Sequence, residues 1–385
     1  MVHRPRAPED GLAIVVPDGE SHFTLPVVTC LGRHQGNRVH VVSSDPTARV
    51  RWSRYCSSFT VAPGDDEGAR FDVVRGVVDR IRAQVVLPVC ETGVRMLQAK
   101  GHELRDRVAL APYEGTLEIG DKWRLAEILR DIGIAHPPTL LYTADAAFRR
   151  QLGAFPVLIK PRSMSGGYGI REFADPVSLV RFLEHHPDMA HRYVVQGLVP
   201  GHDMGSSVLC RDGVVLAQTV QRPAGAVAEG YGTATEIEML DHPEASRLVR
   251  RLFEALGWSG IANVDVRADE RDGGLSVLDV NPRYWSSLLA SHAAGVDFPH
   301  LACLAALGVD FAPPRQRAQR FLQAKSSLHG WRAMLRGNVP TAPAFHETIW
   351  PYLLADPLPH LMAEFWRHRL EPSARPEPTL QELSA

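Results

Sequence analysis

The densest chemistry in the chain lies in Val277-Leu-Asp-Val-Asn-Pro-Arg283. On a strand of period two, Asp279 and Asn281 share one face while Leu278 and Val280 point the other way, into a core. A carboxylate beside a carboxamide oxygen makes a hard-oxygen site of the kind magnesium takes, leaving its other positions to water and phosphate. The preceding run, Ile261-Ala-Asn-Val-Asp-Val-Arg267, alternates in the same way and puts Asn263, Asp265 and Arg267 on one face. With Asp272-Gly273 at a hairpin tip, Asp265 falls nearly opposite Asp279, the Cβ atoms roughly 5 Å apart. Two carboxylates that close repel unless a cation lies between them. The plain alternative is a pair of hairpin carboxylates facing solvent.

Two further runs carry groups suited to a nucleotide. From Phe155 to Ile170 an apolar strand delivers Lys160 to a loop containing Gly166, Gly167 and Gly169. Glycines let backbone amides close on an anion, and the lysine adds a point charge for phosphate oxygens. The loop has neither the Gly-Lys-Ser/Thr of a P-loop nor the spacing of a dinucleotide fingerprint. Taken alone, these residues describe a flexible β-hairpin equally well. From Arg192 to Asp203 a strand runs into a bend at Pro200-Gly201. A strand leaving its sheet offers backbone groups to a purine edge, with Gln196 placed for the exocyclic amine and Asp203 for ribose hydroxyls. By itself this run is a strand and a turn.

These residues need elements to hold them. Between Gly11 and Pro112 short β-rich runs (Ala13–Val16, Arg38–Val42, Gln84–Leu87) alternate with helix-length stretches, the pattern of a parallel α/β unit. Ligands in such units sit beyond the carboxyl ends of the strands. That makes Pro17–His22 and Pro88–Gly93 a candidate substrate mouth, although Glu20, His22 and Glu91 fit solvated turns as well. Asp121–Asp131 has helical spacing and ends before Gly133 and Pro137-Pro138, as a linker helix into a second unit would. The middle region is expected to be α+β and mostly antiparallel, with a helix near Pro243–Leu256. Beyond Pro313 the chain turns Arg-, Pro- and Trp-rich. The amphipathic run Ile349–Trp366 is expected to pack on the body rather than on a membrane.

The 385 residues exceed what one ordinary core holds and suit two or three domains. A formal net charge of -2 supplies no basic field, so nucleic acid is not an expected partner. The five cysteines are scattered and lack metal spacing, so reduced thiols and a cytoplasmic location are expected. Leu12–Pro17 is too short to span a bilayer, and neither export nor membrane insertion is expected.

In their order, Asp121-Lys122, Lys160 with its glycine loop, the Gln196–Asp203 bend, Asp265 and the Asp279–Arg283 motif resemble the ATP-grasp superfamily from about Pro112 to Leu307. The resemblance implies a pre-ATP-grasp α/β domain at 11–112 and a two-lobed α+β ATP-grasp domain at 113–311. The small lobe and linker helix would occupy 113–195 and the large lobe 196–311, with a mainly helical extension at 312–385. It further implies that Lys122 and Lys160 hold the phosphates of ATP and that the Ser163–Gly169 loop, with Ser165, Gly166, Gly167 and Gly169, covers them. Gln196 with the backbone of Gly197 and Val199 would read adenine, and Asp203 the ribose. Asp265, Asp279 and Asn281 would bind two magnesium ions, with Mn2+ as a substitute, and Arg283 would steady the carboxylate or acyl phosphate. Arg222 is a possible phosphate or substrate contact, or a surface arginine.

Many members carry glutamate at both metal positions and an acidic residue after the hinge glutamine. Here those positions hold Asp265, Asp279 and Gly197. Asp279–Trp285 followed by Ala294–Pro299 looks like the branch of carboxylate-amine ligases and carboligases related to biotin carboxylase. Tyr284 and Trp285 fit either an acceptor pocket or the core. The implied activity joins a carboxylic acid to an amine or thiol, an amino acid or peptide being the expected substrate type, in a chain able to form a homodimer. The alternatives are a carboxylase-type relative using bicarbonate and a non-catalytic nucleotide-binding regulatory protein.

Overall fold

The computed structural model describes residues 10–64, 66–109, 118–164, 167–224, 234–336 and 342–362. Its first unit runs β1 (Ala13–Val16), α1 (Thr24–Gly32), β2 (Arg38–Ser43), β3 (Cys56–Val61), α2 (Glu67–Ile81), β4 (Val85–Val86) and α3 (Glu91–Lys100). The four strands are parallel in the order β3-β2-β1-β4. All four residues of β1 are buried, as a central parallel strand covered on both faces requires. Edge strand β3 escapes sequence reading because Cys56-Ser-Ser-Phe-Thr-Val61 is mostly half-buried and shows no alternation. Asp66 caps α2 by accepting from the N–H groups of Gly68 and Ala69.

Next come α4 (Lys122–Asp131), β5 (Thr139–Leu141), α5 (Ala146–Gln151), β6 (Val157–Pro161), β7 (Arg171–Phe173), α6 (Pro176–Glu184) and β8 (Tyr193–Gly197). The antiparallel sheet β5-β8-β6-β7 closes over its own core of Phe148, Val157, Ile159, Leu179, Leu183 and Val195. Helix α4, the expected linker helix, packs Leu125 and Leu129 into the core of the large sheet. It also meets β5 of the small sheet, and its start is tied to that sheet through Lys122 N–H to the Arg162 carbonyl (2.9 Å) and an Arg162–Asp121 ion pair (2.7 Å).

The large sheet uses β9 (Gly201–Arg211), β10 (Val214–Pro223), β11 (Glu236–Met239), then β12 (Gly260–Asp269) and β13 (Leu275–Asn281) after helix α7 (Pro243–Leu256). Helices α8 (Leu288–Ala293) and α9 (Phe298–Ala306), strand β14 (Gln319–Leu322), and helices α10 (Ala324–Leu335) and α11 (Trp350–Ala355) complete the described chain. Sheet order is β13-β12-β9-β10-β11-β14, antiparallel throughout. Helix α7 covers one face with Ala245, Val249, Leu252 and Phe253, an i, i+4, i+7, i+8 stripe. The expected C-terminal extension thus begins by adding β14 to the large sheet's edge. It then returns to the first unit, where buried Asp356 accepts from Ser53 Oγ (2.5 Å) and Arg54 N–H (3.0 Å). Part of the amphipathic run, residues 363–366, lies outside the described residues. Among those described, no helix is long and apolar enough to cross a membrane.

One core joins the first unit to the large sheet. Ile14, Val28 and Leu31 pack with Tyr284, Trp285, Leu288 and Phe298. The two aromatics after the metal-type motif are therefore core residues, 1% and 3% exposed.

Between β8 and β9 the chain passes from small to large sheet through Gly201. Its φ of +136° suits only glycine, and a Cβ there would lie 1.9 Å from the Ala268 carbonyl oxygen. Gly201→Ala is expected to destabilise the protein by about 2 kcal/mol or more, read as a lowered urea midpoint. An unchanged midpoint would contradict this account of the bend.

Candidate active site

A cleft of about 790 Å³ opens between the small and large sheets, with His22 and Phe23 reaching in from the first unit. Its walls include Lys122, Lys160, Gly167, Gln196, Gly197, Val199, Asp203, Arg222, Asp265, Asp279, Asn281 and Arg283. Strands β12 and β13 pair Asn263 with Asn281 and Asp265 with Asp279. The register then slips, so that Val266 faces Val277 and Leu278 is an extra, bulged residue. Strict alternation would send Leu278 into the core. The bulge instead puts Val277 and Val280 there and turns Leu278 into the cleft wall.

The acidic pair is held by amides and a lysine. Asp265 accepts from Asn263 Nδ2 (3.2 Å) and Asn281 Nδ2 (3.4 Å), while Asp279 Oδ2 lies 3.1 Å from Lys122 Nζ. Lys122 Nζ also donates to the Met164 carbonyl (2.8 Å) at the start of the glycine loop. Burial, then the charges of Asp279 and Asp203, pushes the Asp265 carboxyl up to about 7. A buried carboxyl raised by a second carboxylate is a group that a divalent cation would relieve. Two carboxylates and the Asn281 carboxamide suit magnesium, which keeps water and phosphate among its ligands. No group of three His, Cys, Asp or Glu side chains arranged for a metal occurs among the described residues.

Lys160 is buried, and burial holds its ammonium below the ordinary range, a shift opposed by the Asp279 charge. Its Nζ donates to Gln196 Oε1 (2.8 Å), and Gln196 Nε2 donates to Thr139 Oγ1 (3.1 Å). The Gln196 side chain, expected at a purine amine, is thus engaged in positioning Lys160. Along the bend, Gly197 N–H donates to the Pro138 carbonyl (2.8 Å). Arg267 donates to the Val199 carbonyl (2.9 Å) and to Asp203 (2.8 Å). Arg267 therefore fixes both the bend and Asp203, a role that its place on the Asn263–Asp265 face signals but does not reveal.

Other expected positions divide. Gly169 does not line the cleft. With φ +73° it lets the loop fold back on Pro161, whose Cγ a Cβ would approach to 2.9 Å. Ser165 and Gly166 lie outside the described residues. Arg222 lines the cleft but is half-exposed and paired with Glu238 (2.7 Å). Glu20 belongs to a structural knot, bonded to Arg70 (2.5 Å) and to Ser44 N–H (3.1 Å). Asp18 ties the two mouth loops together, accepting from Val89 N–H (2.6 Å). Glu91 bonds Arg283 at 2.7 Å, and the Arg283 guanidinium lies over the Phe23 ring at 4.5 Å. Phe23 and Leu278 are wall residues that sequence reading missed. Leu278 was hidden by the bulge, and Phe23 carries no local signal.

A family model for the ATP-grasp domain matches residues 119–287, from just ahead of α4 to just past β13. The carbamoyl phosphate synthase large chain of Thermus thermophilus is 26% identical over 302 residues, covering 72% of this chain and 28% of that one. The chain thus spans little more than a quarter of that relative's length. The biotin carboxylase domain of Hydrogenobacter thermophilus 2-oxoglutarate carboxylase, solved with MgADP, ADP and bicarbonate, has a TM-score of 0.62 at 18% identity, covering 78% of this chain and 71% of that one. The L-amino acid ligase of Bacillus licheniformis has a TM-score of 0.58 at 18% identity, covering 82% and 76%. At such identities the solved structures establish a shared fold. The stretch that holds Lys122, Lys160, Asp265, Asp279 and Arg283 is therefore the part of the chain that matches the ATP-grasp domain model.

Proposed function

We propose that this chain is an ATP- and magnesium-dependent ligase that joins a carboxylic acid to an amine, or to a thiol, through an acyl phosphate. The observation that carries the reading is the cross-strand pair Asp265–Asp279 in one cleft with Lys122 and Lys160, inside the stretch that matches the ATP-grasp domain model. The solved structures that share the fold include a biotin carboxylase domain with MgADP and bicarbonate and an L-amino acid ligase.

In this reading a carboxylate oxygen of the acid attacks the γ-phosphorus of ATP, and the bond to the β-phosphate oxygen breaks to release ADP. The amine nitrogen then attacks the acyl carbon, loses a proton and expels phosphate, forming an amide. Lys160 and Lys122 hold phosphate oxygens, and the loop around Gly167 excludes water that would hydrolyse the acyl phosphate. The Val199 N–H faces the base, Asp203 the ribose, and Arg222 is a further anion contact at the rim. Arg283 orients the acid. Asp265, Asp279 and Asn281 would hold magnesium, which would neutralise charge on the phosphates.

The sharpest test is ADP release with ATP, magnesium and a pool of acids and amines. Lys160→Ala is expected to lower kcat/KM about 100-fold or more. ATP binding without acid-dependent ADP release in the wild type would support the regulatory alternative, and bicarbonate-dependent release would support the carboxylase one.

The metal assignment has its own test. A carboxyl near 4 when unfolded and about 7 when folded adds stability that is full below the lower value and lost as pH rises through the higher one. Magnesium bound to the ionised pair offsets that loss. Millimolar magnesium is thus expected to raise the melting temperature more at pH 8 than at pH 5.5. Asp265→Asn should raise the metal-free melting temperature at pH 8 and shrink the magnesium effect. Equal magnesium effects at both pH values would remove the metal from this pair.

A further inference from the structure

The end of the described chain turns its apolar residues outward, the reverse of a helix lying on a protein core. Through α11 and the turn after it, Tyr352, Asp356 and Pro359 are buried, spaced as one helical face would be. Leu354, Leu358 and Leu361 are 64%, 53% and 63% exposed, at the same spacing. Helical bonds continue past Asp356, from Asp356 N–H to the Tyr352 carbonyl and from Leu361 N–H to the Pro357 carbonyl (both 3.2 Å). The segment thus buries an aspartate, bonded to Ser53 and Arg54, and shows three leucines to solvent. One exposed leucine is ordinary, but a row of them with a carboxylate beneath marks a surface that something else covers.

The charge around this row points to what covers it. Arg33, Arg49 and Arg54 are exposed, and among the described residues none of them enters an ion pair. Arg33 lies over the Tyr352 ring at 5.3 Å, and Arg54 Nη1 donates to the Ala355 carbonyl (3.2 Å). Burial, then the charge of Arg49, holds the His360 imidazole below its usual range, so Arg49 borders the row as well. Three cations of the first unit therefore flank the leucines. The formal net charge of -2 is unevenly spread, since residues 311–362 carry six arginines and lysines against Glu347 and Asp356.

We propose that this face docks on an anionic lipid surface, the leucines entering the bilayer interface and the arginines meeting headgroup phosphates. Such an interface needs no matching groove. Apolar side chains sink into it by about 5–10 Å, and arginine stems lie along it with their charged ends at the phosphates. A second copy of the chain fits less well, because a two-fold contact would set the same three arginines against themselves. The contact is peripheral, since no helix among the described residues is long and apolar enough to cross a membrane. The inner face of the amphipathic run packs on the body, as its sequence leads one to expect, and only the outer face is assigned to lipid. This inference is independent of the ligase reading.

The experiment is sedimentation of the full chain with vesicles at low and high salt, one set of phosphatidylcholine alone and one of phosphatidylcholine and phosphatidylglycerol in equal parts. At low salt, partition onto the anionic vesicles is expected to exceed that onto the neutral ones about tenfold or more, and high salt should remove most of the excess. Leu354→Asn, Leu358→Asn and Leu361→Asn together should lower the anionic partition about tenfold or more. The melting temperature should hold, because all three side chains are exposed. Arg33→Gln with Arg49→Gln should bring the two vesicle types close together, which tests the charge apart from the apolar row. Equal partition of the wild type onto both vesicle types, no partition at all, or full partition by the leucine variant would overturn the proposal. So would a concentration-dependent dimer of the wild type that the leucine variant loses, since a second copy would then cover the face.

Discussion

The repulsion between Asp265 and Asp279 is the constraint around which the site is arranged. Two carboxylates directly across neighbouring antiparallel strands, half-buried at a cleft wall, repel unless compensated. The fold provides partial compensation in three forms: amide donors from Asn263 and Asn281, the Lys122 ammonium, and a raised pKa at Asp265. What remains uncompensated is an affinity for added positive charge. Under the proposed function a magnesium nucleotide would bring that charge together with phosphate oxygens for the two lysines. The acidic pair and the lysines would thus make separate demands on the same ligand.

The bulge at Leu278 lets this arrangement coexist with a packed core. Without it, period-two alternation would force a choice between burying Leu278 and keeping Val277 in the core. With the extra residue, Val277 and Val280 both face α4 and α7, and Leu278 adds an apolar surface to the cleft beside the acidic pair. One inserted residue thereby supplies polar and apolar wall from a single strand.

Much of this was legible in the residues. The Asp279–Arg283 motif and the alternating strand before it located the acidic pair, because side-chain direction in a strand follows from parity alone. The lysine and glycine run located the loop by composition. Features set by register or by distant packing stayed hidden. A bulge changes parity without changing composition, so Leu278 was assigned to the wrong face. Gln196 was expected to read a base because a strand end is free in sequence, yet Thr139 and Lys160, distant along the chain, claim its amide. The apolar stripe of linker helix α4 does not say which sheet it meets, and Leu125 and Leu129 turn out to pack into the core of the large one. Strand β3 and the return of Asp356 to Ser53 carry no periodic signal.

The small sheet keeps an apolar core to itself, whereas the first unit and the large sheet share one. Where the small sheet meets α4, the polar ties are an ion pair, a backbone hydrogen bond and the bond from Lys122 Nζ to the Met164 carbonyl. The molecule is thus a heavy anvil with a light jaw hung beside it. A nucleotide held by Lys160 on the jaw and, through a divalent cation, by the acidic pair on the anvil would act as mortar between them. Affinity for that nucleotide then includes the work of setting the jaw, and substitutions deep in the jaw's own core could retune it without touching a single contact atom.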